Sequence, residues 1–139
     1  MLASTKAFIK ELDRKRIKYT DRGTLESGKD CITVSYSCKN MESLAIHFFF
    51  DKDCESVAVR AFDLVKLSAA QAGNMLVAIN AQNARFRFVK FVLDTNDYTV
   101  QAEIDVPFRK HDIGEVCVEV MNRVLSICDD AYVELKKAL

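Results

Sequence analysis

Five cysteines, two histidines and two tight groups of carboxylates are the side chains in this sequence best equipped for chemistry. A metal centre would need cysteine and histidine at converging spacings such as C-x-x-C. Cys31, Cys38, Cys54, Cys117 and Cys128 contain no such pair, and neither His47 nor His111 stands at ligand spacing from a cysteine. No metal and no cofactor are therefore expected. Asp51, Asp53 and Glu55 begin like an oxygen-rich cation loop, but the glycine and distal glutamate of a helix–loop–helix calcium site do not follow, so they read as turn residues. Glu103 and Asp105 stand two apart on one strand, ~7 Å from each other, a separation that suits paired acid–base work. No histidine accompanies them in the sequence, and they read as a solvated sheet face. His47 reads as a structural or exposed histidine in mid-strand. His111 reads as a loop histidine before a helix, where the dipole disfavours its charged form. The phosphate-binding and nucleophile-elbow motifs G-x-G-x-x-G, P-loop and G-x-S-x-G are missing. No persuasive catalytic set remains, and the expectation is a protein that is not an enzyme.

The elements that carry these residues can be read from the apolar spacing. Ser4 or Thr5 is placed to cap a first helix, with Phe8, Ile9 and Leu12 on one side, running to about Arg16. Gly23 to Asp30 has the composition of a loop. Three strands follow. Ile32, Val34 and Tyr36 alternate with Thr33, Ser35 and Ser37. Leu44, Ile46, Phe48 and Phe50 form one face of the second strand, and Ala45, His47 and Phe49 form the other, which suggests a central or doubly covered strand. The third runs from Glu55 to Phe62. Ser68 and Gln71 make a capping box for a second helix from Leu67 to Ala84. A hairpin comes next, with Phe86 to Leu93, a turn at Asp94–Asp97, and the strict alternation from Tyr98 to Val106. Asp112 and Glu115 open a long last helix with a stripe through Ile113, Cys117, Val120, Val124, Ile127, Ala131 and Leu135. Cys117 and Cys128 share one face of it and read as small core residues. The order is α–βββ–α–ββ–α, an α+β fold with helices packed against an antiparallel sheet.

The second helix has no charged residue from Leu67 to Ala84. A helix exposed on one side should carry charges there. This one is expected to be covered on both sides, by its own sheet and by a second copy of the chain.

Bulk composition narrows the function. With 139 residues, half of them hydrophobic, the chain fits a single domain, 1–139. Twenty basic and twenty acidic residues give a neutral chain without the field that draws in a polyanion, so no nucleic acid is expected. The odd number of cysteines, and a start at Met1-Leu2 that runs straight into polar sequence, argue against a secretory signal and for free thiols in the cytoplasm. No apolar run reaches the ~18 residues of a membrane span.

The stretch Asn80-Ala81-Gln82-Asn83-Ala84-Arg85-Phe86-Arg87-Phe88-Val89-Lys90-Phe91-Val92-Leu93-Asp94 resembles the YbjN domain family, described as bacterial sensory transduction regulators. In that family a helix ends in an asparagine-containing segment and runs into an aromatic strand, an aspartate turn, a second strand and a long final helix. The similarity spans Leu67 to Leu135. The order of elements over the whole chain is similar to the type III secretion chaperone-like fold. What that resemblance implies is a homodimer, with the second helix and its neighbouring strand at the interface.

These readings converge on a homodimeric protein-binding module, chaperone-like or regulatory, acting on a protein client. Phe8, Leu12, His47 and Phe49 are the expected client-binding residues. Gly73, Val77, Ala78 and Ala81 are the expected dimer interface, where small residues allow close approach. The alternative is a small-ligand sensor with a pocket between sheet and helices, which Thr33, Ser35 and His47 would line.

Overall fold

The structure is a computed structural model that describes residues 1–139. Strict two-residue alternation in the middle of the chain builds the sheet. Strands β1 (Thr20–Thr24), β2 (Asp30–Ser37), β3 (Ser43–Phe50), β4 (Ser56–Lys66), β5 (Lys90–Asp94) and β6 (Thr99–Pro107) join one six-stranded sheet in the order β1-β2-β3-β4-β6-β5. Every neighbouring pair is antiparallel. Paired positions share a face, so Ile32, Phe48, Val59 and Ile104 form one row across four strands. Ile32, Phe48 and Val59 are wholly buried.

Helices α1 (Ala3–Arg14), α2 (Ala72–Arg85) and α3 (Ile113–Lys137) pack onto that side of the sheet. The Phe8 ring of α1 lies 4.4 Å from the Phe48 ring and 5.7 Å from the Phe50 ring, centroid to centroid. The stripe of α3 buries Cys117, Val124, Cys128, Ala131 and Leu135 against β3, β4 and α1. Gly114 lets α1 and α3 meet, since a Cβ there would stand 2.8 Å from the Ala7 carbonyl oxygen and 2.8 Å from Glu11 Cβ. Helix α2 buries Met75 and Ile79 and leans on β5 and α3.

The α+β architecture agrees with the sequence reading, with one more strand: the order is α–ββββ–α–ββ–α. The added β1 lies inside what reads as an exit and loop. All five of its residues are exposed, so no apolar alternation marks it. The register shifts between Asp21 and Thr24, where Gly23 has φ +78°. Charged residues and a bulge on an edge strand discourage pairing with another chain. A tight turn at Leu25–Gly28, with Gly28 at φ +85°, then leads into β2. Strand β4 outruns its expected end at Phe62 because Asp63, at φ 55°, sits in a bulge that breaks the alternation. The expected strand from Phe86 begins only at Lys90. Phe88 turns the chain at φ 72°, and its ring sits under the guanidinium of Arg123, 4.7 Å away.

The expected cap of α1 is also different. Ser4 and Thr5 lie in the first turn, Leu2 is the cap position, and no local side chain bonds there. The cap comes from Asp30 at the start of β2. Its carboxylate accepts the Leu2 N–H at 2.7 Å, the Thr5 hydroxyl at 2.7 Å and the Thr24 hydroxyl at 2.6 Å. A negative group at a helix N-terminus is favoured by the dipole. Burial pushes the Asp30 carboxyl up, and the three hydrogen bonds outweigh it and hold it below the usual carboxylate value. One buried anion thus ties α1, β1 and β2 together. At the far side, Asp129 of α3 accepts the N–H groups of Lys39, Asn40 and Met41 at 3.1, 2.9 and 3.1 Å, fixing the β2–β3 turn.

Replacing Asp30 by alanine strands the buried Thr5 hydroxyl and removes the acceptor of the Leu2 amide and the exposed Thr24 hydroxyl, and is expected to cost about 2–4 kcal/mol, measured by urea unfolding near neutral pH. Asp30 is lowered in the fold, so its stabilisation is complete above 3.8 and is lost as pH falls through the lower folded value. The Asp30→Ala variant should lack that part of the acid limb.

Candidate functional site

All three helices take one side of the sheet, and the other side is open. Its central row crosses every strand: Thr20, Thr33, His47, Arg60, Glu103 and Lys90 stand side by side in register. The next row carries Cys31, Phe49, Ala58 and Asp105. Alternation alone dictates this. Residues whose neighbours Phe48 and Val59 face the helices must face away from them.

At the centre, His47 Nδ1 lies 2.8 Å from the Thr33 hydroxyl, and Arg22 Nε reaches the same hydroxyl at 3.4 Å. The imidazole ring is 6.2 Å from the Phe49 ring and 5.5 Å from the Phe62 ring, and Phe49 and Phe62 are 6.4 Å apart edge to face. The three rings form an aromatic patch. Alternation along β4 after Arg60 brings Phe62 to it, with 42% of that residue exposed. Partial burial, and then the positive charge of Arg22, hold the His47 pKa below the ordinary value. The imidazole is neutral at physiological pH and keeps one nitrogen for an outside partner.

Arg60 closes the other side of the patch. It bonds the carbonyls of Val59 and Ile104 at 3.0 and 3.3 Å and pairs with Asp105 at 2.8 Å and Glu103 at 3.6 Å. Glu103 also accepts from Gln101 Nε2 at 2.7 Å. The two carboxylates are thus spent on one guanidinium and are not poised as an acid–base pair. Chemically, the face offers a flat aromatic and hydrogen-bonding surface.

The sequence-selected residues divide. His47 and Phe49 lie on this face, half-buried. Phe8 and Leu12 do not belong to it: both are 0% exposed and pack in the core. Their helix has a single apolar side, which the sheet takes. Of the two readings of β3, the central one agrees with its interior place in the sheet, and the doubly covered one does not, since only the Phe48 side meets helices. Thr33, Ser35 and His47 face away from the helices, so they do not line a pocket between sheet and helices. Phe62 and Arg60 are the members sequence reasoning missed. Phe62 follows Arg60 on the same side of β4 by plain alternation, a signal the sequence carries, and the pairing of Arg60 needed the β4–β6 register.

Of the expected dimer residues, Gly73, Val77 and Ala81 are exposed on α2, and Ala78 is half-buried beside the end of α3. Val77 is 72% and Leu76 54% exposed. Asn83, at the end of α2, accepts the Phe91 N–H at 2.7 Å and donates to the Phe91 carbonyl at 3.1 Å. A side-chain amide therefore occupies the free edge of β5 as a strand would. Lys90 Nζ completes the closure by donating to the carbonyls of Asn83 and Phe86 at 2.7 and 2.8 Å.

The five cysteines are free. Burial pushes Cys117 and Cys128 up to about 12. Asp51 is bonded to Ser56 and to Lys29 Nζ at 3.0 Å, and Asp53 accepts the Glu55 N–H at 2.9 Å, which are turn contacts. No helix is long and apolar enough to cross a membrane. The chain matches no protein-family model and no curated protein.

Because the folded His47 binds its proton more weakly than the unfolded one, its contribution to stability is full above 6.5 and is lost as pH falls through the lower folded value. Unfolding free energies measured from above 6.5 to well below it should decline, and His47→Gln should flatten that decline. An unchanged slope in the variant would place the proton-linked destabilisation elsewhere.

Proposed function

We propose that this chain is a non-enzymatic protein-binding module, regulatory or chaperone-like, that works as a homodimer. The observation that carries the reading is the outward side of α2. Leu76 and Val77 are among the most exposed large apolar residues, on a helix within a stretch from Leu67 to Ala84 that has no charge. A side-by-side packing of two α2 helices would bury them, and Gly73 leaves open space for the approach. Asn83 occupies the β5 edge at Phe91, which favours helix-to-helix association over extension of the sheet.

In this arrangement the open sheet face stays free for a client. The His47–Phe49–Phe62 patch supports binding of an extended segment that presents aromatic or aliphatic side chains, with the spare imidazole nitrogen giving a directional contact. The resemblance of Asn80–Asp94 to the YbjN domain family, and of the element order to the secretion chaperone-like fold, supports the same style of assembly. Free thiols fit a reducing compartment such as the cytoplasm. The small-ligand reading has less support, because the larger clefts are surface grooves. One of about 540 Å³ lies between α2 and the end of α3.

Light scattering tests the assembly. The wild type is expected to be a dimer and Val77→Asp a folded monomer, since an exposed substitution costs within about 0.5 kcal/mol. Panning a random peptide library tests the face. Selected peptides should lose binding to Phe62→Ser and keep it on the Val77→Asp monomer. A wild-type monomer would contradict the dimer, and peptides indifferent to Phe62 would contradict the face.

A further inference from the structure

The turn between β3 and β4 carries a cysteine that neither the fold nor the proposed binding surfaces use. Cys54 has left-handed backbone, φ 60°, and its N–H bonds the Asp51 carbonyl at 2.9 Å. That turn sets its half-exposed thiol against the N-terminus of α1, in an open cleft of about 450 Å³. Ser4, Asp53, Glu55, Arg109 and Lys110 line the cleft with it.

Two features of this corner point to an anionic sulfur. The thiol shares its cleft with Ala3 and Ser4 of the first turn of α1, where free backbone N–H groups and the helix dipole add positive potential. Independently, Ser4 is 0% exposed, and its hydroxyl is a buried side-chain polar atom with no hydrogen-bond partner of normal length. Leaving such a group unpaired is costly. A thiolate or a sulfur-bound oxygen at Cys54, in the same cleft, would supply the hydroxyl's missing acceptor. Closeness to the Ser4 backbone and hydroxyl, and then to the Ala3 backbone, holds the Cys54 thiol below its ordinary value, against slight burial and the charge of Asp53. Cys31 and Cys38, by contrast, are pushed up by burial.

We propose that Cys54 is a site of oxidative modification, at which the thiolate attacks hydrogen peroxide or an organic hydroperoxide and becomes a sulfenic acid held by the N-terminus of α1. A sulfur–oxygen bond forms and the peroxide O–O bond breaks. The sulfur loses two electrons, the peroxide is reduced, and the departing hydroxide or alkoxide takes a proton from water. The Ser4 hydroxyl donates to the new oxygen, and Arg109 and Lys110 keep the local field from turning negative beside Asp53 and Glu55. This site lies apart from α2 and from the open sheet face, so it stands whatever the outcome for assembly.

The test uses the full chain, treated with equimolar hydrogen peroxide in the presence of a sulfenic-acid trap and mapped by peptide mass spectrometry. Cys54 is expected to carry most of the label, Cys54→Ser to lose it, and Ser4→Ala to slow it several-fold. Labelling that starts at Cys31 or Cys38, or that ignores Ser4→Ala, overturns the proposal. Should Ser4→Ala fail to fold, the pH profile of iodoacetamide alkylation in the wild type decides. A midpoint for Cys54 below 9.0 supports the assignment, and one at or above 9.0 removes it.

Discussion

Helices cover one side of the sheet only, and the rest of the molecule follows from that. The rings of Phe8, Phe48 and Phe50 pack together under α1, and α3 lies beside α1 because Gly114 has no side chain to hold them apart. With an apolar side of each helix turned to one side of the sheet, the core closes as a single layer interface. Asp30 makes the arrangement specific by binding the start of α1 to β1 and β2 through one carboxylate. Asp129 does the same for α3 and the β2–β3 turn. Hydrophobic burial drives the layers together, and these buried or half-buried anions fix where the pieces sit.

What remains outside has two different characters. The open sheet face is a mixed surface, with rings of His47, Phe49 and Phe62 bordered by an Arg60 that is already neutralised by Glu103 and Asp105. The outward side of α2 is apolar and uncharged. Both sheet edges are protected, β1 by charges and a bulge, β5 by the Asn83 amide. Association through side chains is therefore better supported than association through strand addition.

The sequence shows clearly those elements whose own periodicity is undisturbed. The alternation at Ile32–Ser37 and Tyr98–Val106 and the stripe from Ile113 to Leu135 have their counterparts in the fold; the Ser68–Gln71 box forms, with the Ser68 N–H on Gln71 Oε1 at 2.9 Å, but it opens a 3-10 turn at Ala69–Gln71, and the α-helix starts at Ala72 and not near Leu67. Strand β1 was hidden because all of it is exposed, and its pairing with β2 supplies the order that its side chains do not. Phe88 falls outside the strand that its aromatic spacing suggests because its own positive φ turns the chain where alternation would continue it, and positive φ at Asp63 hides the continuation of β4 past Phe62. Phe8 and Leu12 are apolar whether a partner or the core covers them, so type alone did not separate the two. Cys54 gave no signal because its environment comes from a helix fifty residues earlier in the chain.

The central claim is that two copies meet along α2. Hydrogen exchange on the intact protein, read peptide by peptide at a low and a high protein concentration, tests it directly. The account predicts that protection gained on concentrating falls within Ala72–Arg85 and the adjoining Phe86–Val92, with none at Thr20–Thr24. Protection that appears at the β1 edge, or no concentration dependence anywhere, would contradict it.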